Sequence, residues 1–121
     1  MNRKEVIDYF LNKPFSKETY PFDEVTAVFK VGGKMFALIS THEAERLSIN
    51  LKNTPDENIL MRQIYDEVIP GYHMNKDHWN TVYCDGNLED SVIMKMIDDS
   101  YDIVYKKLTK KLRAELESSS I

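Results

Sequence analysis

Residues 25–39 carry two runs of β-forming side chains joined by Gly32-Gly33, and this constrains the fold more than any other feature. A two-residue hairpin loop needs positive φ at both central positions, which glycine adopts without steric cost. The chain is therefore committed to an antiparallel pair, with 25–31 as one arm and 34–39 as the other. A regular ladder sets Val31 opposite Lys34, Phe29 opposite Phe36 and Ala27 opposite Leu38. Those residues are expected on the buried face, and Val28, Lys30, Met35 and Ala37 on the outer one. Lys34 sits at the tip, where its ammonium reaches water.

A third strand is read from Arg46 to Lys52, where Leu47, Ile49 and Leu51 alternate with Arg46, Ser48, Asn50 and Lys52. Such alternation marks a strand with one wet face. The first helix starts at Asn2, with Glu5 in position for a capping box, and carries Val6, Ile7, Phe10 and Leu11 on one face as far as Pro14. Residues 14–24 are expected as a loop over the sheet edge. Thr54-Pro55-Asp56-Glu57 starts a second helix, with Thr54 as cap, Pro55 in the first position and Glu57 closing a capping box. That helix is expected to run to about Glu67, to bury Leu60, Ile64 and Val68, and to end at Pro70-Gly71. A second hairpin follows, with arms 72–74 and 79–83 and Asn75-Lys76-Asp77 near its turn. Asp85-Gly86 is the next turn. Asn87 is then in place to cap a last helix carrying Ile93, Ile97, Tyr101, Val104, Leu108 and Leu112.

The predicted order is α-β-β-β-α-β-β-α. The economical way to bury these stripes is a two-layer α+β domain, an antiparallel five-stranded sheet with helices packed on one face. One domain is expected over residues 1–117, with 118–121 as a frayed tail.

The 121 residues are 42% hydrophobic and 30% charged, enough for one core under a charged surface. There is no run of eighteen apolar residues and no apolar stretch at the N-terminus, so neither a membrane span nor a secretory signal is expected. The single cysteine, Cys84, cannot close an internal disulfide, which points to a cytoplasmic protein. The net charge of −4 weighs against indiscriminate nucleic-acid binding. The late charges are segregated, however. Residues 88–102 carry Glu89, Asp90, Asp98, Asp99 and Asp102 against Lys95, whereas 106–113 carry Lys106, Lys107, Lys110, Lys111 and Arg113 and no acid. A helix macrodipole favours that arrangement, and the same basic end would also suit an anionic ligand.

Segment 70–82 concentrates His73, His78, Trp79, Lys76, Asn75 and Asn80. It is too polar for core and too aromatic for a linker, so it reads as a contact surface. His73 and His78, with Asp77 or Cys84 nearby, fit neither a helical i, i+4 metal pair nor a Cys/His knuckle. Cys84 and Ser100 lack the base and orienting acid of a nucleophile, and Ser100 is expected to bond to its own helix backbone. Asp98 and Asp102 read as a solvated helix face. No enzyme, metal or cofactor is expected.

Four segments then acquire a common meaning: Gly33-Lys34-Met35-Phe36-Ala37, Pro70-Gly71-Tyr72-His73-Met74-Asn75-Lys76, His78-Trp79-Asn80-Thr81-Val82 and Ser100-Tyr101-Asp102-Ile103-Val104. In order and spacing the chain resembles the MmcQ/YjbR family, from its first helix to about Arg113. The resemblance implies an α+β domain similar in topology to secretion-chaperone and CyaY-like folds. It also implies a non-catalytic DNA-binding module in which two β-hairpin wings grip double-stranded DNA. Carried over here, the wings are the hairpins around Gly32-Gly33-Lys34 and Asn75-Lys76-Asp77. The contact residues are then Lys34, His73, Asn75, Lys76, His78 and Asn80. Two alternatives stand beside it. One is a chaperone-like protein-interaction module that docks a partner on the outer sheet face, through Val28, Met35 and Ala37. The other is a small-ligand or anion site where His73 and Lys76 converge with Trp79.

Overall fold

The computed structural model describes residues 1–119. The elements are α1 (Arg3–Leu11), β1 (Lys17–Thr19), β2 (Thr26–Val31), β3 (Lys34–Ser40), β4 (Ser48–Lys52), α2 (Pro55–Ile64), β5 (Val68–Pro70), β6 (Trp79–Tyr83), α3 (Asp90–Lys106) and α4 (Lys110–Ser119). All strand pairs are antiparallel, in the order β1-β2-β3-β4-β6-β5. The α+β class is as expected, but the described residues hold six strands rather than five and four helices rather than three. Ser118 and Ser119 belong to the last turn of α4. The remaining two positions of the expected tail lie outside the described residues.

Local chemistry explains several boundaries. Asn2 and Glu5 close the expected capping box on α1. Gly32 and Gly33 both have positive φ, 57° and 81°, as their two-residue turn demands. The loop before β2 supplies β1 as an edge strand, with Glu18 opposite Phe29. Between β2 and β3 the register slips. Lys30 pairs with Met35, but Phe29 pairs with Ala37, so Phe36 is the extra residue of a β-bulge. A one-residue slip exchanges faces. Ala37 therefore joins the main core, while Leu38, expected there, packs on the opposite face with Val28.

The core lies between the sheet and the helices. Phe10 of α1, Phe29 and Phe36 of the hairpin, Ile49 and Leu51 of β4, and Ile93, Ile97, Tyr101 and Val104 of α3 form one cluster. The ring of Phe36 meets Phe10 and Tyr101 edge-on. A smaller cluster of Val28, Leu38 and Trp79, flanked by Met35 and Met74, occupies the other face.

Ser100 ties these layers together. Its hydroxyl donates to the Phe36 carbonyl at 2.6 Å and accepts from the Lys52 backbone N–H at 2.8 Å, and the residue is fully buried. The expected bond to its own helix backbone is not made, and the hydroxyl bonds across to the bulge instead.

Three further expectations give way. α2 stops at Ile64, where Tyr65 turns extended, so Val68 belongs to β5. Leu60 and Ile64 are exposed, while Asn58 is buried and Met61 and Tyr65 pack on the core. Asn58 explains this rotation, because its amide donates to the carbonyls of Asn53 and Asp77. The arm that pairs with β6 is β5 rather than 72–74. Finally, α3 is capped at Glu89 rather than Asn87, and the long C-terminal helix breaks after Lys107. There Thr109 accepts from the Leu112 N–H and starts α4 afresh. No described helix is long and apolar enough to cross a membrane.

Candidate functional site

The strand order decides which loops meet. β2 and β4 end where β3 and β6 begin, as the Val31–Lys34 and Lys52–Trp79 pairs show. The loop between β5 and β6 closes at the same end, where the Gly71 N–H donates to the Trp79 carbonyl at 2.9 Å. Both hairpin tips therefore lie at one end of the sheet, with the end of β4 between them. α3 also finishes there, because its continuation, Leu108, abuts Gly32.

A cleft of about 440 Å³ opens at this end, lined by Lys34, Met35, Lys52, Trp79, Val104 and Lys107. Three of these six side chains are ammonium groups, and among the described residues no carboxylate belongs to the lining. Lys34 comes from the hairpin tip, Lys52 from the last position of β4 and Lys107 from the C-cap of α3. The Lys52 ammonium stands 5.9 Å from the centre of the Trp79 ring. Burial pushes its pKa below the ordinary lysine value, and the charges of Lys107 and Lys34 push it further. Trp79 is a wall more than a platform, since only 6% of it is exposed.

The residues named from sequence divide. Lys34 lines the cleft. Asn75 is exposed and shapes the second loop, its side-chain oxygen accepting from the N–H groups of Asp77 and His78. Lys76 is exposed, with its ammonium on the Gly71 carbonyl at 2.9 Å. His73 is exposed, has a φ of 59° and packs its ring 4.0 Å from that of Tyr72. His78 is half-buried, and its carbonyl accepts from the Asn53 N–H.

Asn80 requires correction as a contact residue. It is 4% exposed, because its position on β6 turns it toward the helix layer. Its side-chain oxygen accepts from Arg62 at 2.7 Å and its amide donates to the Asn58 carbonyl at 3.1 Å. Arg62 also binds the Lys76 carbonyl, so the Asn80 group holds the second loop against α2.

The expected convergence of His73 and Lys76 on Trp79 is not formed. Trp79 lines the lysine cleft, whereas His73 lines a separate groove of about 480 Å³ with Phe22, Leu38, Asn50, Tyr72 and Met74. The outer apolar face also differs. Val28 is fully buried under the Trp79 cluster, and the bulge sends Ala37 into the core. Neither Lys52 nor Lys107 is among the contact residues that the resemblance implies. Lys52 was visible only as the last outward residue of an alternating strand, and Lys107 only as part of a basic helix end.

Among the described residues, no three His, Cys, Asp or Glu side chains gather as a metal site. Cys84 is buried, and burial pushes its thiol up to about 12, far from thiolate reactivity at neutral pH.

Comparison with known proteins agrees with this architecture. The family described as YjbR matches residues 11–103. An uncharacterised protein YbdF of Escherichia coli O157:H7 is 40% identical over 101 residues, covering 84% of this chain and 82% of its own. An uncharacterised protein YjbR of Escherichia coli K12 is 34% identical over 113 residues, covering 93% and 95%. Among solved structures, Deinococcus radiodurans protein DR2400, with a domain labelled DUF419, superimposes with a TM-score of 0.86 at 37% identity. That match covers 94% of this chain and 86% of the other. A Pseudomonas syringae protein gives a TM-score of 0.73 at 32% identity over 86% of this chain and 99% of its own.

Proposed function

This chain belongs to the YjbR family, and from that premise we propose that it is a non-catalytic module that binds double-stranded DNA with the lysine-bearing end of its sheet. The observation that carries this reading is the meeting of Lys34, Lys52 and Lys107 on one cleft with no carboxylate among the described residues of its lining. A protein of net charge −4 gains little from drawing three ammonium groups together unless an anion joins them. Lys76, on the second loop at the same end, supplies a fourth cation once its ammonium leaves the Gly71 carbonyl. The acidic remainder repels the backbone elsewhere and so fixes the orientation of approach. Asn75 and His78 stand on the second loop at the same end, whereas His73 turns into the separate groove, and Asn80 acts from beneath by holding that loop.

Each lysine–phosphate contact releases counterions, so affinity should fall with salt at a slope of about 0.9 per contact. Fluorescence anisotropy with mixed-sequence duplexes at two salt concentrations tests this. Lys34→Ala should weaken binding across all sequences and reduce the slope by about one contact. Absence of binding at low salt, with protein on the order of tens of micromolar as for ordinary nonspecific association, refutes the proposal.

One observation favours a second reading. Phe22 and Tyr72 are 64% and 68% exposed at the sides of the groove that holds His73. Large apolar rings at a groove suit the docking of a protein segment. A protein that co-purifies with the chain and is lost on Tyr72→Ser supports that reading over DNA.

A further inference from the structure

We infer that the cleft between Lys34, Lys52 and Lys107 is a seat for a terminal phosphate, the dianionic group of a phosphate monoester, in preference to the phosphodiesters of a continuous backbone. The inference deepens the DNA reading, on which it rests only for the source of the phosphate.

The argument starts from charge. A phosphodiester brings one negative charge, whereas a monoester carries about −1.5 to −2 at neutral pH on three terminal oxygens. Three ammonium groups around one void match the second group better than the first. Lysine is a point-charge phosphate binder with rotatable donors, so three of them can each take one oxygen. The shape of the cleft agrees. Met35, Val104 and Trp79 give it an apolar side, which strengthens a contact at the partly buried Lys52 more than at the exposed Lys34 and Lys107. A walled cleft of about 440 Å³ admits a group at a chain end more readily than a duplex flank, which would have to lie along it. The small exposure of Trp79 leaves no ring face on which a base can stack, so the seat reads charge and not sequence. Burial is the first cause of the depressed pKa of Lys52 and the charges of Lys107 and Lys34 the second, and a dianion between the three lysines offsets that second part.

The test uses the full chain and four probes: one duplex carrying 5′-phosphates, the same duplex with 5′-hydroxyls, adenosine 5′-monophosphate, and adenosine. The 5′-phosphorylated duplex should bind about tenfold more tightly, equal to one favourable charged contact of about 1.4 kcal/mol. Inorganic phosphate should erase that difference, as should Lys107→Ala. Lys52→Met, which keeps the stem over Trp79, serves as a second variant, with thermal melts to verify folding. Equal affinity for the two duplexes overturns the terminal-phosphate seat and leaves the DNA reading standing. Binding of the monophosphate but not adenosine, lost in both variants and without any duplex binding, supports the seat and overturns the DNA reading. Failure of every probe overturns both.

Discussion

Replacing Ser100 by alanine removes one oxygen from the centre of the molecule and tests how helix and sheet are joined. The hydroxyl donates to the bulged Phe36 carbonyl and accepts from the Lys52 N–H, at 2.6 and 2.8 Å. The residue is 0% exposed, so water has no path to either group in the compact state. Alanine leaves one acceptor and one donor without that partner. A buried orphan group costs about 1–3 kcal/mol, and some relaxation is shared between neighbours, so the expected loss is about 2–4 kcal/mol. For a chain of this size that corresponds to a fall in Tm of roughly 8–15 °C. Urea unfolding followed by circular dichroism measures it, with the slope checked for constancy. Ser118→Ala, whose hydroxyl is exposed on α4, is the control and should change stability by less than about 0.5 kcal/mol. A loss below about 0.5 kcal/mol for Ser100→Ala refutes the reasoning. It would mean that the bulge satisfies its own carbonyl and that α3 is seated by apolar contact alone.

Asn80→Ala should lower stability by about 2–3 kcal/mol in the same assay by stranding Arg62 and the Asn58 carbonyl. The folded fraction should also bind duplex more weakly, because the Arg62–Asn80 pair holds the loop that carries Lys76. Gly32→Ala should cost about 2 kcal/mol or more, because φ is +57° and its Cβ would stand 2.7 Å from Leu108. Gly33→Ala, at φ +81° in open space, should cost about 1 kcal/mol, so equal melts for the two contradict the packing at the tip. Asp98 is pulled up by burial, but hydrogen bonds from Lys13 and Tyr9 bring its pKa below the ordinary carboxylate value. A depressed carboxylate stabilises the fold above its unfolded pKa and ceases to do so as pH falls through the folded one. Asp98→Asn should therefore cost no more than about 1 kcal/mol at neutral pH, given the solvent around the pair. Its gap from the parent should close below about pH 4, measured as stability against pH.

The parts of this fold that were legible in the sequence are those decided within a few residues. The capping box at Asn2 and Glu5, the paired glycines and the alternation that buries Ile49 and Leu51 all depend on neighbours in the chain. The bulge at Phe36 meets instead a hydroxyl contributed by α3, and a register extrapolated from the turn cannot foresee it. Leu60 and Ile64 formed a plausible stripe, yet the hydrogen bonds of Asn58 turned a polar side inward. The site divides in the same way. Lys34 was evident at its tip, whereas Lys52 and Lys107 acquire meaning only when β4 and α3 end beside it.

The backbone at Gly32 lies against the side chains of Leu108 and Leu112, where the two C-terminal helices join. That turn is thus a braced peg rather than a loosely hung finger. A projection propped from behind surrenders little freedom when something closes on it, so association at Lys34 is spared much of the ordering entropy that mobile loops lose. Adaptation falls to the partner and to the exposed Lys34 side chain, which extends from a turn already held in place.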